Sequence, residues 1–176
     1  LGKLKDAEIL FRKAIKLSPD FAQSHLNLGK ILKDLGKVKE AELETIKAIK
    51  LKPDYADAYN NLGNTLRDLN RLEEAEKSIK TAIKFDSKSA IFYSNLGNIL
   101  KDRGEFNEAA KYYKEAINFN ESIAKAKQGL ISCKSLICDW SEVEIQTDWL
   151  KTLGIHGDPV LTHGLIHIED NPIKQL

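Results

Sequence analysis

The sequence predicts an all-α fold, a solenoid of stacked antiparallel helix pairs. The segment 56–68 (ADAYNNLGNTLRD) is matched by 22–34 and by 90–102, which lie 34 residues before and after it. Within each copy, apolar and small residues recur at the i, i+3, i+4 and i+7 spacing of amphipathic helices. A fixed period of this length indicates one helical unit, copied and stacked, so that the core lies between neighbouring units.

Each unit contains two helical patterns, an A helix followed by a B helix. The A helices are predicted at 22–35, 56–69, 90–103 and 124–137, and the B helices at 4–17, 38–51, 72–85, 106–119 and 140–153. Proline follows two B helices, at Pro19 and Pro53, where it is tolerated and stops the preceding helix. The position between A and B carries residues suited to a left-handed backbone: Gly2, Gly36, Asn70 and Gly104.

Three glycines, Gly29, Gly63 and Gly97, lie inside the A helices. A glycine in a helix interior costs about 1 kcal/mol relative to alanine, so three in register need a compensating cause. We expect that cause to be close packing of each A helix on its B helix. Four residues before each glycine, a ring side chain completes the core of the unit: His25, Tyr59 and Tyr93.

Composition argues against several classes of partner. Lysine and arginine (27) nearly balance aspartate and glutamate (26), so no strong field favours nucleic acid or an anionic membrane. No apolar run approaches the ~18 residues of a membrane span. Cys133 and Cys138 are too few for a disulfide scaffold and are expected in the core, in a cytoplasmic protein. The sequence contains no methionine and starts at a B helix, so we expect a fragment of a longer protein.

The pattern of an aromatic residue, then Leu-Gly, then alanine, alanine and proline at set offsets resembles the tetratricopeptide repeat. This resemblance implies a right-handed α–α superhelix whose A helices line a concave groove. The chain then divides into residues 1–121, half a repeat and three full repeats, followed by 122–153, a divergent terminal repeat. In that repeat, Gly129 and Ile131 depart from the pattern. Residues 154–176 are interpreted as a linker-like loop with a short apolar segment.

Polar residues on the A helices form the candidate binding site, because the predicted core does not need them. They repeat at offsets of 0, 3 and 7, which places them on one stripe of each helix, with a basic residue beside it. The predicted peptide-binding residues are Asn27, Lys30, Asp34, Asn61, Asn64, Arg67, Asp68, Asn95, Asn98, Lys101 and Asp102. A side-chain amide both donates and accepts, so a ladder of asparagines can hold the backbone of an extended peptide.

An ordinary solvated helix face is the alternative interpretation of this stripe. Asparagine is a mediocre helix former, however, and a face that is merely solvated more often carries glutamate, lysine or glutamine. Other candidate sites are weaker. His163 and His167 are four residues apart and could share a helix face as metal ligands near Glu169, but no third ligand is placed. We expect no metal, no cofactor and no catalytic constellation.

A second resemblance concerns the asparagines of the A helices and the segment Cys138-Asp139-Trp140-Ser141-Glu142. Both are similar to the repeat region, and to its junction with the catalytic domain, in the O-linked N-acetylglucosamine transferases and SPINDLY-like glycosyltransferases. The resemblance implies that the chain is the non-catalytic repeat part of such an enzyme and that its groove binds protein substrates. Thr162-His163 departs from the family's usual residues.

The sequence therefore predicts a protein–protein interaction module that binds an extended peptide or partner protein in its concave groove. The alternative is an assembly scaffold unrelated to glycosyl transfer. Because the first B helix lacks its own A helix, Leu4, Ile15 and Leu17 are expected to be partly bare. Self-association through that end is a further expectation.

Overall fold

The computed structural model of the protein describes residues 2–137 and the backbone of two short strands at 159–162 and 165–168. Residues 2–137 form eight α-helices joined by turns of three or four residues. These are α1 (Gly2–Leu17), α2 (Ala22–Asp34), α3 (Val38–Leu51), α4 (Ala56–Asp68), α5 (Leu72–Phe85), α6 (Ala90–Asp102), α7 (Phe106–Phe119) and α8 (Ala124–Leu136). The predicted helix boundaries are confirmed to within two residues. The B helix predicted at 140–153 and the 138–142 junction lie outside the described residues.

The helices form a curved stack with the A helices on its inner side. Each helix packs on the next, and the short turns make these neighbours antiparallel. The A helices α2, α4, α6 and α8 also approach one another in sequence order, whereas no comparable approach joins the B helices α1, α3, α5 and α7. A stack that is tighter on one side curves towards that side. The A helices therefore line the concave surface and the B helices the convex surface.

The turns from A to B helices use a left-handed residue in three units. Gly36, Asn70 and Gly104 have φ values of 77°, 58° and 81°. In the first of these turns, the Gly36 N–H donates to the Lys33 carbonyl and the Lys37 N–H donates to the Leu32 carbonyl. This paired bonding closes the end of α2 as a Schellman motif. Gly2, placed in the same turn by the sequence pattern, is instead the first residue of α1.

The glycines inside the A helices lie directly against the B helices, as predicted. A Cβ atom added at Gly63 would lie 2.6 Å from two side-chain carbons of Ile79. At Gly97 it would lie 2.8 Å from the Tyr113 ring, and at Gly29 it would lie 2.5 Å from the Thr45 hydroxyl oxygen. Real Cβ atoms do not approach other atoms this closely, so the absence of a side chain lets each helix pair close.

Aromatic contacts complete the core of the units. Tyr59 stacks on Phe85 with ring centroids 5.7 Å apart, and Tyr93 packs against Phe119 at 5.1 Å. Cys133 is fully buried in the last described helix, as expected, and Cys138 lies outside the described residues. At the other end, Leu4 and Ile15 are half-buried and Leu17 is 86% exposed. Self-association through this end stays a prediction.

Two strands, β1 (Pro159–Thr162) and β2 (Leu165–Ile168), follow the helices. They pair antiparallel, with Pro159 opposite Ile168 and Thr162 opposite Leu165. The short apolar segment predicted within 154–176 therefore forms two paired strands, which the sequence interpretation did not assign. Two apolar runs separated only by His163-Gly164 are a hairpin pattern. His167 lies in β2, so its proposed position on a helix face with His163 was wrong.

Candidate functional site

The predicted binding residues all lie on A helices, and the structure places their three sets in different surroundings. The first set, Asn27, Asn61 and Asn95, occupies equivalent positions in α2, α4 and α6. Repeat symmetry predicts three equivalent amides that face the groove. The structure instead gives each amide a different intramolecular partner, so the ladder is not uniform.

Asn61 is part of the core rather than of an open surface. Its side chain is 4% exposed, and its Nδ2 donates to the Thr45 hydroxyl at 2.9 Å. That hydroxyl donates in turn to the Ala41 carbonyl one helical turn earlier, at 2.8 Å. The amide therefore ties α4 to α3 of the preceding unit. This corrects the interpretation of Asn61 as a residue that packing leaves over, because a buried and bonded amide has little left to offer a peptide.

Asn95 and Asn27 are half-buried and also bonded within the protein. The Asn95 Nδ2 donates to the Asn60 Oδ1 at 2.8 Å and so links α6 to α4. The Asn27 Oδ1 accepts from the Gln23 Nε2 at 3.0 Å. Gln23 also accepts a hydrogen bond from the Tyr55 hydroxyl. Each of these amides uses one of its two polar ends on a neighbour and retains the other.

The second set consists of Lys30, Asn64 and Asn98. Lys30 is exposed, and Asn64 is half-buried with no side-chain hydrogen bond among the described residues. Asn98 is half-buried and accepts a hydrogen bond from the Tyr113 hydroxyl at 2.7 Å. Lys30 and Asn64 therefore keep all of their side-chain hydrogen-bonding capacity in the described part of the chain, and Asn98 keeps its NH₂ group. These three side chains are the best candidates for contacts with a partner.

The third set consists of Asp34, Asp68 and Asp102, together with the basic residues Lys33, Arg67 and Lys101 beside them. Most of these charges form ion pairs between adjacent units. The Lys33 Nζ lies 3.5 Å from the Asp68 Oδ2, and the Arg67 Nε lies 2.5 Å from the Asp102 Oδ2. Each pair joins one A helix to the next. In residues 2–137, Asp34 and Lys101 form no ion pair. In both pairs the acid follows the base by 35 residues. The residue 35 positions after Lys101 is Leu136, so the Lys101 ammonium group has no acidic partner within 2–137.

Two positions sixteen residues apart face each other beneath the groove where a B helix meets the next A helix. Phe11 and Asn27 hold these positions after α1. The junctions that follow α3, α5 and α7 are numbered from first to third. The first junction pairs Thr45 with Asn61 through a hydrogen bond. By register, Ile79 and Asn95 occupy the same two positions at the second junction.

Tyr113 and Gly129 form the third junction. The ring of Tyr113 takes the space that a side chain at position 129 would need. Gly129, which departs from the repeat pattern, thus leaves room for the Tyr113 ring. Ile131 stands where the earlier units have their A-helix glycine.

One buried hydrogen-bonded pair was missed by the sequence interpretation, which placed His25 in the core without a partner. The His25 Nδ1 lies 2.7 Å from the Glu44 Oε2, and its Nε2 lies 2.8 Å from the Pro19 carbonyl oxygen. Burial by itself would raise the pKa of Glu44, but hydrogen bonds from Lys47 and His25 outweigh it and lower that pKa. In the third unit, Tyr93 and Tyr112 take the places of His25 and Glu44. The Tyr93 hydroxyl donates to the Ser87 carbonyl, as His25 does to Pro19.

The described residues contain no group of three or more histidine, cysteine, aspartate or glutamate side chains placed to hold a metal ion. Burial raises the pKa of the Cys133 thiol, which therefore lacks the thiolate character of a nucleophile. None of the described helices is both long enough and apolar enough to span a membrane.

Comparison with known proteins supports the repeat architecture. A family model described as the tetratricopeptide repeat matches residues 56–89 and 90–122, and a second model of the same description matches residues 10–43. These matches together cover more than half of the chain. A search of curated proteins found no match.

Several solved structures share the fold at low identity. The crystal structure of MamA is 22% identical with a TM-score of 0.69, and the match covers 87% of this chain and 86% of that one. The protein pilF from Pseudomonas aeruginosa is 22% identical with a TM-score of 0.71, over 77% of this chain and 62% of that one. YrrB, described as a TPR protein with an unusual peptide-binding site, is 21% identical with a TM-score of 0.63, over 82% and 71%. At these identities the likeness shows the fold alone.

Proposed function

We propose that the chain, which belongs to the tetratricopeptide repeat family, is a non-catalytic module that binds an extended peptide or protein partner. The partner lies along the concave surface formed by α2, α4, α6 and α8. The observation that carries this proposal is the hydrogen-bonding capacity that the A helices keep on that surface. Lys30 is exposed, Asn64 has no bonded partner in the described part of the chain, and the Asn98 Nδ2 is not used by a protein acceptor there.

Backbone recognition suits these groups. An extended peptide presents a carbonyl and an N–H at every residue, and an asparagine amide can bond to either. The ion pairs Lys33–Asp68 and Arg67–Asp102 neutralise charge on the same face, so this part of the groove has no strong field of one sign. The description of the similar structure YrrB as a protein with a peptide-binding site supports a peptide as the class of ligand.

The test is selection from a random peptide library against the purified chain, followed by affinity measurements on variants. Asn64→Ala should weaken binding of the selected peptides by ~1–3 kcal/mol, because it removes a hydrogen-bonding group from the groove. The matched control is Asn118→Ala, which removes an exposed asparagine from the B helix α7 and should leave affinity unchanged. Equal effects of the two variants would contradict a site on the concave surface.

Asn61 is unsuitable for this test because its amide is buried, and its removal would confound stability with binding. Failure of the wild-type chain to select any peptide, combined with capture of a folded partner protein, would favour the assembly-scaffold alternative.

We further propose that the module belongs to a glycosyltransferase resembling the O-linked N-acetylglucosamine enzymes and that it acts in the cytoplasm. The support is the similarity of the Cys138–Glu142 segment and of the asparagines in the A helices. The residues encoded beyond Leu176 test this proposal directly. A sugar-nucleotide-binding α/β domain there would support it, and any other kind of domain would contradict it.

A further inference from the structure

We infer that Tyr113 is a positioning residue that holds the Asn98 carbonyl oxygen and turns the Asn98 NH₂ group towards the groove, so that this point selects a hydrogen-bond acceptor on the partner. The inference rests on the proposed function and adds to it a specific contact and its polarity. It follows from the position of Tyr113, the location of its proton, and the absence of an equivalent at the preceding junction.

The position of Tyr113 is fixed by two glycines. Its side chain is fully buried, and its ring lies against Gly97 of α6 and Gly129 of α8. Because both glycines lack a Cβ atom, the ring passes between two A helices towards the floor of the groove. Its hydroxyl lies 2.7 Å from the Asn98 Oδ1. A residue of the convex-side helix α7 thus reaches a side chain of the concave surface.

The proton of this hydrogen bond belongs to the tyrosine. The Asn98 Oδ1 is the only hydrogen-bond partner of the Tyr113 hydroxyl among residues 2–137, and a buried donor left without an acceptor costs free energy. Burial raises the pKa of Tyr113, so the phenol keeps its proton at physiological pH. If the amide were reversed, its NH₂ would face the hydroxyl and the phenol proton would lose its acceptor. The hydrogen bond therefore fixes which end of the amide faces Tyr113.

The other end of the Asn98 amide is available. Its Nδ2 has no protein acceptor among the described residues, yet no buried polar side-chain atom there lacks a partner. The Nδ2 is therefore accessible to solvent and to a ligand. Since its carbonyl oxygen is held by Tyr113, Asn98 offers two N–H donors to anything in the groove.

The preceding unit shows what is missing without the tyrosine. Asn64 occupies the position equivalent to Asn98, but the residue equivalent to Tyr113 is Ile79, which cannot form a hydrogen bond. The Asn64 amide can therefore turn either end to a ligand. Lys101 follows Asn98 by three residues on the same helix and forms no ion pair in residues 2–137. The end of the groove at α6 and α8 thus favours acceptors, and anionic acceptors most.

The experiment compares Tyr113→Phe with Asn98→Ala, using peptides selected from a random library on the wild-type chain. Each peptide position is replaced in turn by alanine, and the position whose effect disappears in Asn98→Ala is the one that contacts Asn98. Tyr113→Phe should lower the affinity of the parent peptide about five- to tenfold, the effect of one hydrogen bond. It should leave the affinity of the peptide with alanine at that position unchanged. Tyr112→Phe, on the same helix, should change neither.

A structural effect of Tyr113→Phe would lower both affinities equally and would overturn the inference, as would no loss at all. If the wild-type chain selects no peptide, the proposed function fails and the inference fails with it. If the chain selects peptides but Tyr113→Phe does not act through the contact position, the inference alone fails. Peptides carrying Asp, Asn or Ala at the contact position separate a charged acceptor from a neutral one. A preference there for Lys would also overturn the inference.

A measurement without ligand tests the orientation of the amide. In ¹⁵N-correlated NMR spectra of the free protein, Tyr113→Phe should shift the side-chain NH₂ signals of Asn98 and leave those of Asn64 in place. Unchanged Asn98 signals would overturn the inference. A transplanted pair supplies the converse: Ile79→Tyr with Asn95→Gly recreates the Tyr113–Gly129 arrangement beside Asn64. It should shift the Asn64 signals in turn.

Discussion

The first junction of the solenoid, after α3, and the third, after α7, use the same two positions in opposite ways. At the first junction, Thr45 and Asn61 bond to each other and both are buried. At the third, Tyr113 fills the space beside Gly129 and extends its hydroxyl to Asn98. One junction turns a polar pair inward for stability, and the other turns a buried hydroxyl outward to orient a groove residue. Equivalent positions in a repeat can therefore have different functions.

The largest effect is expected when the residue of one junction is placed in the other. Gly129→Asn should force a side chain into the Tyr113 ring and lower the free energy of unfolding by ~1–3 kcal/mol or more, as overpacking does. Adding Tyr113→Ile recreates the Ile79–Asn95 pair and should recover most of the loss. Urea unfolding of the single and double variants measures both. An unaltered stability of Gly129→Asn would mean that the ring is not confined there.

At the first junction, Thr45→Val should lower the free energy of unfolding by ~1–3 kcal/mol. The substitution leaves the buried Nδ2 of Asn61 without its acceptor. Asn61→Leu in the same chain removes the unpaired amide. The double variant should therefore lose less free energy of unfolding than the two single variants lose together. A double-mutant cycle by thermal or urea unfolding measures this coupling. Additive effects would contradict the hydrogen bond.

A pH dependence should distinguish the first unit from the third. The folded-state pKa of Glu44 is lowered, so its contribution to stability is present above its unfolded pKa and is lost as pH falls through the folded pKa. The stability difference between wild type and Glu44→Gln should therefore shrink as pH falls through the acid range. Tyr112→Phe, at the equivalent position in the third unit, should show no such trend. Thermal unfolding at a series of pH values measures both.

The smallest effect is expected for the ion pairs between A helices. Arg67→Met should change the free energy of unfolding by ~0–1 kcal/mol, because Arg67 and Asp102 are both one-third exposed and remain solvated. Added salt should reduce even this difference. A loss comparable to that of Thr45→Val would show that the charges, rather than the buried pairs, hold the units in register.

Helix positions could be predicted from the sequence because each depends on a local pattern repeated several times. Apolar spacing gives the face, and Gly36, Asn70 and Gly104 mark the same turn in three units. The environment of Asn61 could not be predicted in this way, because periodicity assigns a residue to a face without considering its neighbour in the preceding B helix. Thr45 was the available signal. A small hydroxyl residue there can bond to Asn61, whereas Ile79 in the next unit cannot.

The departure at Gly129 was visible in the sequence but its cause was not. Tyr113 lies sixteen positions earlier, where the two previous units have Thr45 and Ile79, but an aromatic residue there is not a sufficient signal, because Phe11 holds the same position before Asn27. Only the contact of the Tyr113 ring with Gly129 shows the reason. The ion pairs between units could not be predicted for a similar reason. Arg67 and Asp68 are neighbours in sequence, but each pairs with a different adjacent unit.

The pairs at the groove floor are close in sequence as well as in space. Asn61 follows Thr45 by sixteen residues, and Gly129 follows Tyr113 by the same distance. A short duplication or recombination event would carry both members of a pair together, with their size and bonding already matched. Groove chemistry can thus change one unit at a time during evolution, while the spacing of the helices and the rest of the core are inherited intact.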